Sequence, residues 1–480
     1  MVDKNTVANS LFWKFLERCT AQLVTLIVGI VLARLLAPED FGALSILLVF
    51  VNLSVILTEA GFSSALIQKA AVDEKDYGTV LVLSLIIASF LYFTLFIIAP
   101  FIASFYTYPG LDNTMKIIAL VLFPNAYNSV YKAKVAREFQ YKRLFKANLV
   151  ASVVSGIVGV ILAYCGVNLW ALVIQQLFAG LLTCLILGIQ LRWCPIFHYA
   201  SERAKKLFSF GWKLMMSSII DSLFADFRTL LVGKAFDTNT LGFYSQARQY
   251  PYAISKNINT SIGTVMFPAM SNVQDNVSQV KALTRRAIKT STYLVFPILL
   301  GFAAISDSFV LLVLTDKWAS SIFLIKIICM AFLFEPIITI NSQARNSIGK
   351  SDIHLKIVAI GKFVDFSVLI LTWLIFNSIE AMAIGEVATA FIMALIGGVS
   401  NRQLIGYTIK EQLLDILPNL ILSFIMFAVV YLIYIIHWPL LVTILLQILL
   451  GGTLYLMMSV IFRNESYFYL KQFIVDKLKR

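Results

Sequence analysis

Two stretches of this 480-residue chain contain no Asp, Glu, Lys or Arg: 45 residues from Ala147 to Leu191 and 47 from Ile416 to Phe462. A helix crosses the hydrocarbon of a bilayer in about 20 residues, so each run holds two spans and a turn. The turns fall at Gly166-Val167-Asn168 and at His437-Trp438-Pro439. Inside lipid the backbone must satisfy its own hydrogen bonds, which leaves only helices and closed barrels. The chain has 59% hydrophobic and 14% charged residues and a mean hydropathy of +0.84. That is too apolar for a barrel, whose strands alternate, and too poor in charge for a soluble enzyme. The expectation is an all-α polytopic membrane protein.

Val80 to Ala99 and Thr290 to Ala304 mark two more spans. Less apolar segments at 12–36, 41–67, 111–135, 207–233, 240–269, 320–345, 353–376 and 380–401 bring the expectation to fourteen helices. The first apolar stretch contains Glu17 and Arg18, so it reads as a span and not as a cleavable leader. With the N-terminus inside, the inner segments hold 28 Lys and Arg and the outer ones three, Arg34, Lys234 and Lys317. Cationic residues collect on the cytoplasmic side, so the asymmetry supports both the count and two cytoplasmic termini. It also explains the net charge of +13 without a nucleic-acid partner. All seven Trp fall near predicted helix ends, as interfacial anchors do.

No predicted loop exceeds about twenty residues, which leaves no room for a soluble domain. Ala344 to Ser351 resembles a phosphate-binding loop but follows a membrane helix, so it reads as a basic inner turn. The five Cys are scattered without a CxxC pair and the three His lie far apart, so neither a disulfide frame nor a metal site is expected.

An internal repeat organises the chain. Arg34-Leu-Leu-Ala-Pro-Glu-Asp-Phe-Gly42-Ala-Leu-Ser45 matches Lys234-Ala-Phe-Asp-Thr-Asn-Thr-Leu-Gly242-Phe-Tyr-Ser245, with Trp13-Lys14 and Trp212-Lys213 ahead of them. Six spans separate the copies, so both face the same way, which predicts two pseudo-symmetric lobes. Residues 1–203 form the N-terminal six-helix lobe and 204–406 the second. Residues 407–463 are spans thirteen and fourteen, and 464–480 a basic tail with Arg463 at its head. Two such lobes around a wet cavity make a transporter plan.

Charges within spans mark that cavity, since each costs about 2.5–3.5 kcal/mol at the bilayer centre. Helical spacing groups them. Span one aligns Arg18, Gln22 and Thr25, and span two aligns Asn52 with Glu59. Span seven aligns Asp221 and Arg228, with Asp226 close by. Span eight is the most polar, with Arg248, Tyr252, Lys256 and Asn259 in one stripe. Span ten aligns Lys326 with Asn341, Glu335 lying between them, and span eleven pairs Lys362 with Asp365. Lys116, Lys213 and Glu386 lie near helix ends and can snorkel. For each charge the competing reading is a structural ion pair. Cations with Tyr, Asn and Gln suit an anionic head group bearing sugars; a cation-coupled drug exporter would favour carboxylates.

The repeat residues, with Leu241-Gly-Phe-Tyr-Ser245-Gln-Ala247, Phe267-Pro-Ala-Met-Ser271, Ala99-Pro100 and Thr315-Asp-Lys-Trp318, resemble the polysaccharide-transporter branch of the multidrug/oligosaccharidyl-lipid/polysaccharide exporter superfamily. The match is greatest to Wzx-type flippases of the colanic-acid-exporter kind. The resemblance implies a V-shaped two-lobe fold and no enzymatic activity. It also implies transfer of undecaprenyl-pyrophosphate-linked oligosaccharide across the bacterial inner membrane, with membrane lipids as surroundings and a polysaccharide polymerase and chain-length machinery as candidate partners. No cofactor is expected, though a proton or sodium gradient could couple the movement. A cation-coupled multidrug exporter and a membrane-embedded polymerase or ligase stay open as alternatives. Spans thirteen and fourteen, almost free of polar residues, read either as a packing buttress or as a flank for the polyprenyl tail.

Overall fold

The computed structural model describes residues 4–59, 61–69 and 71–478. Among the described residues every regular element is helical. The chain forms two compact units, one ending at Gly242 and the other beginning at Phe243.

The first unit contains α1 (Lys4–Leu35), α2 (Pro38–Glu59), α3 (Phe62–Gln68), α4 (Glu74–Tyr106), α5 (Leu111–Ile118), α6 (Leu122–Arg137), α7 (Tyr141–Tyr164), α8 (Leu169–Leu191) and α9 (Ser201–Ala235). The division runs through the first turns of α10 (Thr238–Ser271). The second unit continues with α11 (Val277–Phe309), α12 (Ser321–Phe332), α13 (Glu335–Ser347), α14 (Ser351–Phe376), α15 (Ile379–Ile405), α16 (Ile409–Ile435), α17 (Leu440–Ile461) and α18 (Glu465–Leu478). Eleven helical segments are long and apolar enough to cross a membrane, which makes this a multi-pass membrane protein. The other three expected spans are helical as well, but α5 and α6 are short pieces and α9 and α10 are rich in polar residues.

The repeated glycines have a physical reason that the sequence does not disclose. A β-carbon on Gly42 would sit 1.8 Å from the Thr238 carbonyl oxygen, and one on Gly242 would sit 1.9 Å from that of Pro38. The two contacts are reciprocal: each copy's glycine faces the backbone four residues before the other copy's glycine. Only glycine lets two helix starts approach so closely.

Two expected spans are interrupted beside a proline. In the first unit a 3-10 turn over Ala119–Val121 separates α5 from α6, and Pro124 follows. In the second, Leu333 and Phe334 separate α12 from α13, and Pro336 follows. Proline has no N–H to give the carbonyl four residues back, so the helical ladder is broken there. The chain compensates with bonds that reach back three residues, Leu333 N–H to Met330 O and Phe334 N–H to Ala331 O, both 3.3 Å.

Ion pairs pin helix ends within each unit. In the first, Asp76 accepts from Lys69 at 2.6 Å and from Arg203 at 2.9 Å. Arg203 also holds Asp73, whose pKa falls to about 2, chiefly through that hydrogen bond. In the second, Arg285 grips Asp415 with two bonds of 2.8 Å, tying α11 to α16. Tyr293, Leu422, Met426, Tyr455 and Met458 then form an apolar core between α11, α16 and α17.

Candidate functional site

The second unit contains a cleft of about 610 Å³ between α10 and the α12–α13 break. Tyr252, Lys256, Asn259 and Gly263 recur every three or four residues on α10 and so share one face. Glu335, Thr339 and Gln343 recur every four residues on α13 and supply the opposite wall, with Phe332 at the end of α12. Gly263 leaves room for Gln343, whose amide nitrogen lies 3.2 Å from where a β-carbon would be.

Within the cleft Lys256 is exposed, 2.5 Å from the Tyr252 hydroxyl and 4.8 Å from the centre of its ring. Tyr252 meets Phe332 edge-on at 6.1 Å. The Asn259 amide donates to Ser255 Oγ at 2.9 Å, while its buried carbonyl oxygen has no hydrogen-bond partner. The walls therefore offer one flexible cation, one carboxylate, two amides, several hydroxyls and aromatic faces. Such a set binds a ligand that is anionic at one point and rich in hydroxyls elsewhere.

Next to the cleft Arg248 is tied up. Its guanidinium lies 3.2 Å from Glu386 and donates to the Tyr244 hydroxyl at 3.0 Å, and that hydroxyl donates to Glu386 at 2.9 Å. Asp365 is within charge reach of Arg248, and Glu335 within reach of both Arg248 and Glu386. The structure thus gathers Arg248, Glu335 and Asp365, and adds Tyr244 and Glu386, which sequence reasoning had not assigned to the site. Glu386 does not snorkel. Its side chain is only 13% exposed, because it lies well inside α15 against the guanidinium.

Lys326 pairs with Asp307 at 2.7 Å and lies over the Tyr431 ring, on the side of α12 that faces α11 and α16. Lys362 is half-buried on α14, as is Asp365. In the first unit Arg18 is exposed and Gln22 half-buried on α1, beside Glu17, which accepts from Asn148 at 2.7 Å. Glu59 is half-buried at the end of α2, within charge reach of Lys132. On α9, Asp221 is exposed, Asp226 accepts from Ser222 at 2.8 Å, and Arg228 is buried. Thr339 and Gln343 were legible as a stripe running from Glu335. Aligning Lys326 with Asn341 assumed one continuous helix, and the break at 333–334 changes the phase. Asn341 instead enters a buried knot, donating to Gln412 at 3.0 Å and accepting from Asn401 at 2.7 Å. Among the described residues no His, Cys, Asp and Glu cluster suits a metal ion.

The fold is shared with solved multi-span membrane proteins: the structure of the lipid II flippase MurJ in an inward closed conformation superposes with a TM-score of 0.75 at 15% identity, over 95% of this chain and 99% of that one. An inward-facing multidrug resistance MATE family transporter of the MOP superfamily superposes with a TM-score of 0.63 at 18% identity, over 80% and 94%. Residues 31–323 match the family described as "Polysaccharide biosynthesis protein", and the chain belongs to that family. Its relatives include the teichuronic acid biosynthesis protein TuaB of Bacillus subtilis, 23% identical over 75% of this chain and 74% of that protein. The succinoglycan biosynthesis transport protein ExoT of Rhizobium meliloti is 21% identical over 66% and 64%. The lipopolysaccharide biosynthesis protein WzxC of Escherichia coli is 22% identical over 64% and 63%.

Proposed function

We propose that this protein is a flippase, not an enzyme, and moves undecaprenyl-pyrophosphate-linked oligosaccharide across the bacterial inner membrane for polysaccharide assembly. Movement proceeds by alternating access through a charged cavity, with fourteen crossings and both termini cytoplasmic. The family, the polysaccharide names of its relatives and a fold shared with a lipid II flippase all support this reading. The observation that carries it is the cleft of the second unit, where Lys256 stands among amides, hydroxyls and aromatic faces. An exposed lysine suits a pyrophosphate, and the remaining groups suit sugar hydroxyls. The same lysine disfavours a cationic drug. Arg248 acts here as a positioning residue that holds α10 to α15. Spans thirteen and fourteen are proposed to flank the polyprenyl tail.

The test is a proteoliposome assay with fluorescent lipid-linked oligosaccharides. Lys256→Gln should slow flipping by about 10- to 100-fold, the weight of one charge-assisted hydrogen bond of about 1.5–3 kcal/mol, at unchanged insertion. Wild-type rates no higher than those of empty liposomes, together with extrusion of cationic dyes, would favour the drug-exporter alternative. Tags at Gly110, Asn377 and the C-terminus check the topology; a C-terminus reached from outside would refute it.

A further inference from the structure

The most basic inner segment of the chain, residues 132–146, carries six cations: Lys132, Lys134, Arg137, Lys142, Arg143 and Lys146. The structure divides them in half. Lys134 lies 3.6 Å from both Glu74 and Glu138, Arg137 donates to the carbonyls of Leu66, Ile67 and Lys69, and Lys132 is within charge reach of Glu59. Lys142, Arg143 and Lys146, by contrast, have no carboxylate within ion-pair distance among the described residues. They line a cleft of about 570 Å³ together with Gln140 and Gln190, and no acid joins them. The side-chain oxygens of both glutamines are buried without a hydrogen-bond partner.

What lies beside the cleft says which anion it takes. Trp13 packs on Phe145 at 5.4 Å and under Lys142 at 5.1 Å, an arrangement suited to head-group depth. From Ala147 on, α7 has no charge, and Val150, Val154, Ile157 and Ile161 continue the face of Lys146 as an exposed apolar stripe. A soluble phosphate would use the cations and leave that stripe unused. A lipid would use both.

We propose that this cleft is a binding site for an anionic glycerophospholipid of the inner leaflet, of the class bearing two phosphates. Three uncompensated cations grip the phosphates, one of the two glutamine oxygens accepts from the central glycerol hydroxyl, and the acyl chains lie along α7. Placing the site in the inner leaflet rests on the topology proposed above. Binding itself is measured without transport, so failure of the flippase reading leaves this test intact.

The full-length protein is reconstituted in phosphatidylcholine nanodiscs and titrated with cardiolipin, retained lipid being counted by native mass spectrometry. Replacing Lys142, Arg143 and Lys146 together by Gln should weaken retention about a hundred-fold. The charge-preserving set Lys142→Arg, Arg143→Lys and Lys146→Arg should stay within about threefold, as should a control triple Lys350→Gln, Lys356→Gln and Lys410→Gln elsewhere on the inner face. An equal loss in the control would mean bulk charge only and overturn the site. So would retention by the Gln triple, or displacement of the lipid by millimolar soluble pyrophosphate.

Discussion

The two proline-marked breaks share a backbone defect and differ in what fills it. In the first unit the break between α5 and α6 is sealed. Phe123 packs on Tyr92 at 5.7 Å and joins an apolar cluster with Ala88, Leu95, Ala119 and Leu122. Gly180 of α8 closes in from the other side, since a β-carbon there would lie 3.0 Å from Val121 and 3.7 Å from Pro124. In the second unit the break places Glu335 in an open cleft beside Arg248 and Glu386. A proline break is thus a backbone device with no chemistry of its own. Whether it becomes a hinge of the scaffold or the wall of a site depends on the side chain beside it.

Exchanging those side chains gives the largest expected effect. Phe123→Glu puts a carboxylate among apolar neighbours and should destabilise the protein by about 2.5–3.5 kcal/mol, read as lost membrane abundance and an earlier thermal transition in detergent. Glu335→Leu should change stability by less than about 1.5 kcal/mol while flipping falls. Equal destabilisation by the two variants would mean that the breaks do not differ as described.

A smaller effect follows from mending the ladders. Pro336→Ala returns an N–H to the Phe332 carbonyl, which is worth about 1 kcal/mol. It should raise thermal stability and slow flipping by straightening α12–α13. Pro124→Ala regains the same bond but loses packing near Gly180, so its net change should be near zero and transport should be untouched. Slower flipping in both variants would show that the sealed break moves as well.

The smallest effect lies at the exposed latch of the first unit. The carboxyl of Asp73 titrates at about 2 when held by Arg203, below the usual 3.8. A depressed carboxylate adds stability above its unfolded pKa and loses it as pH falls through the folded one. The contribution should be complete above pH 3.8 and vanish toward pH 2, and Asp73→Asn should remove that step from a melting profile against pH. It is modest because the group is in water.

Much of this was legible in the residues. Charge-free runs fixed the helices, and the α10 stripe of Tyr252, Lys256 and Asn259 is a wall of the cleft because hydropathy and helical period survive folding unchanged. Contacts between distant helices were not legible. Glu386 was misplaced because nothing local shows that Arg248 meets it across 138 positions, and Lys326 because two residues at 333–334 reset the helical phase. The α12–α13 break had a signal in Pro336, but Pro100, Pro251, Pro268, Pro297 and Pro418 lie inside continuous helices, and spacing alone does not separate the two outcomes.

Two similar segments of one chain are ordinarily free to drift apart. The reciprocal contact of Gly42 and Gly242 removes that freedom at two codons, because the room for either side chain is already taken by main chain from the other copy. No change in a partner side chain can make space, since a backbone carbonyl has no smaller variant. The segments around these glycines are free to diverge in every other property, as Glu39-Asp40-Phe41 and Asn239-Thr240-Leu241 already have. A laboratory lineage evolved toward a new sugar should therefore change its cleft many times before either glycine accepts a substitution.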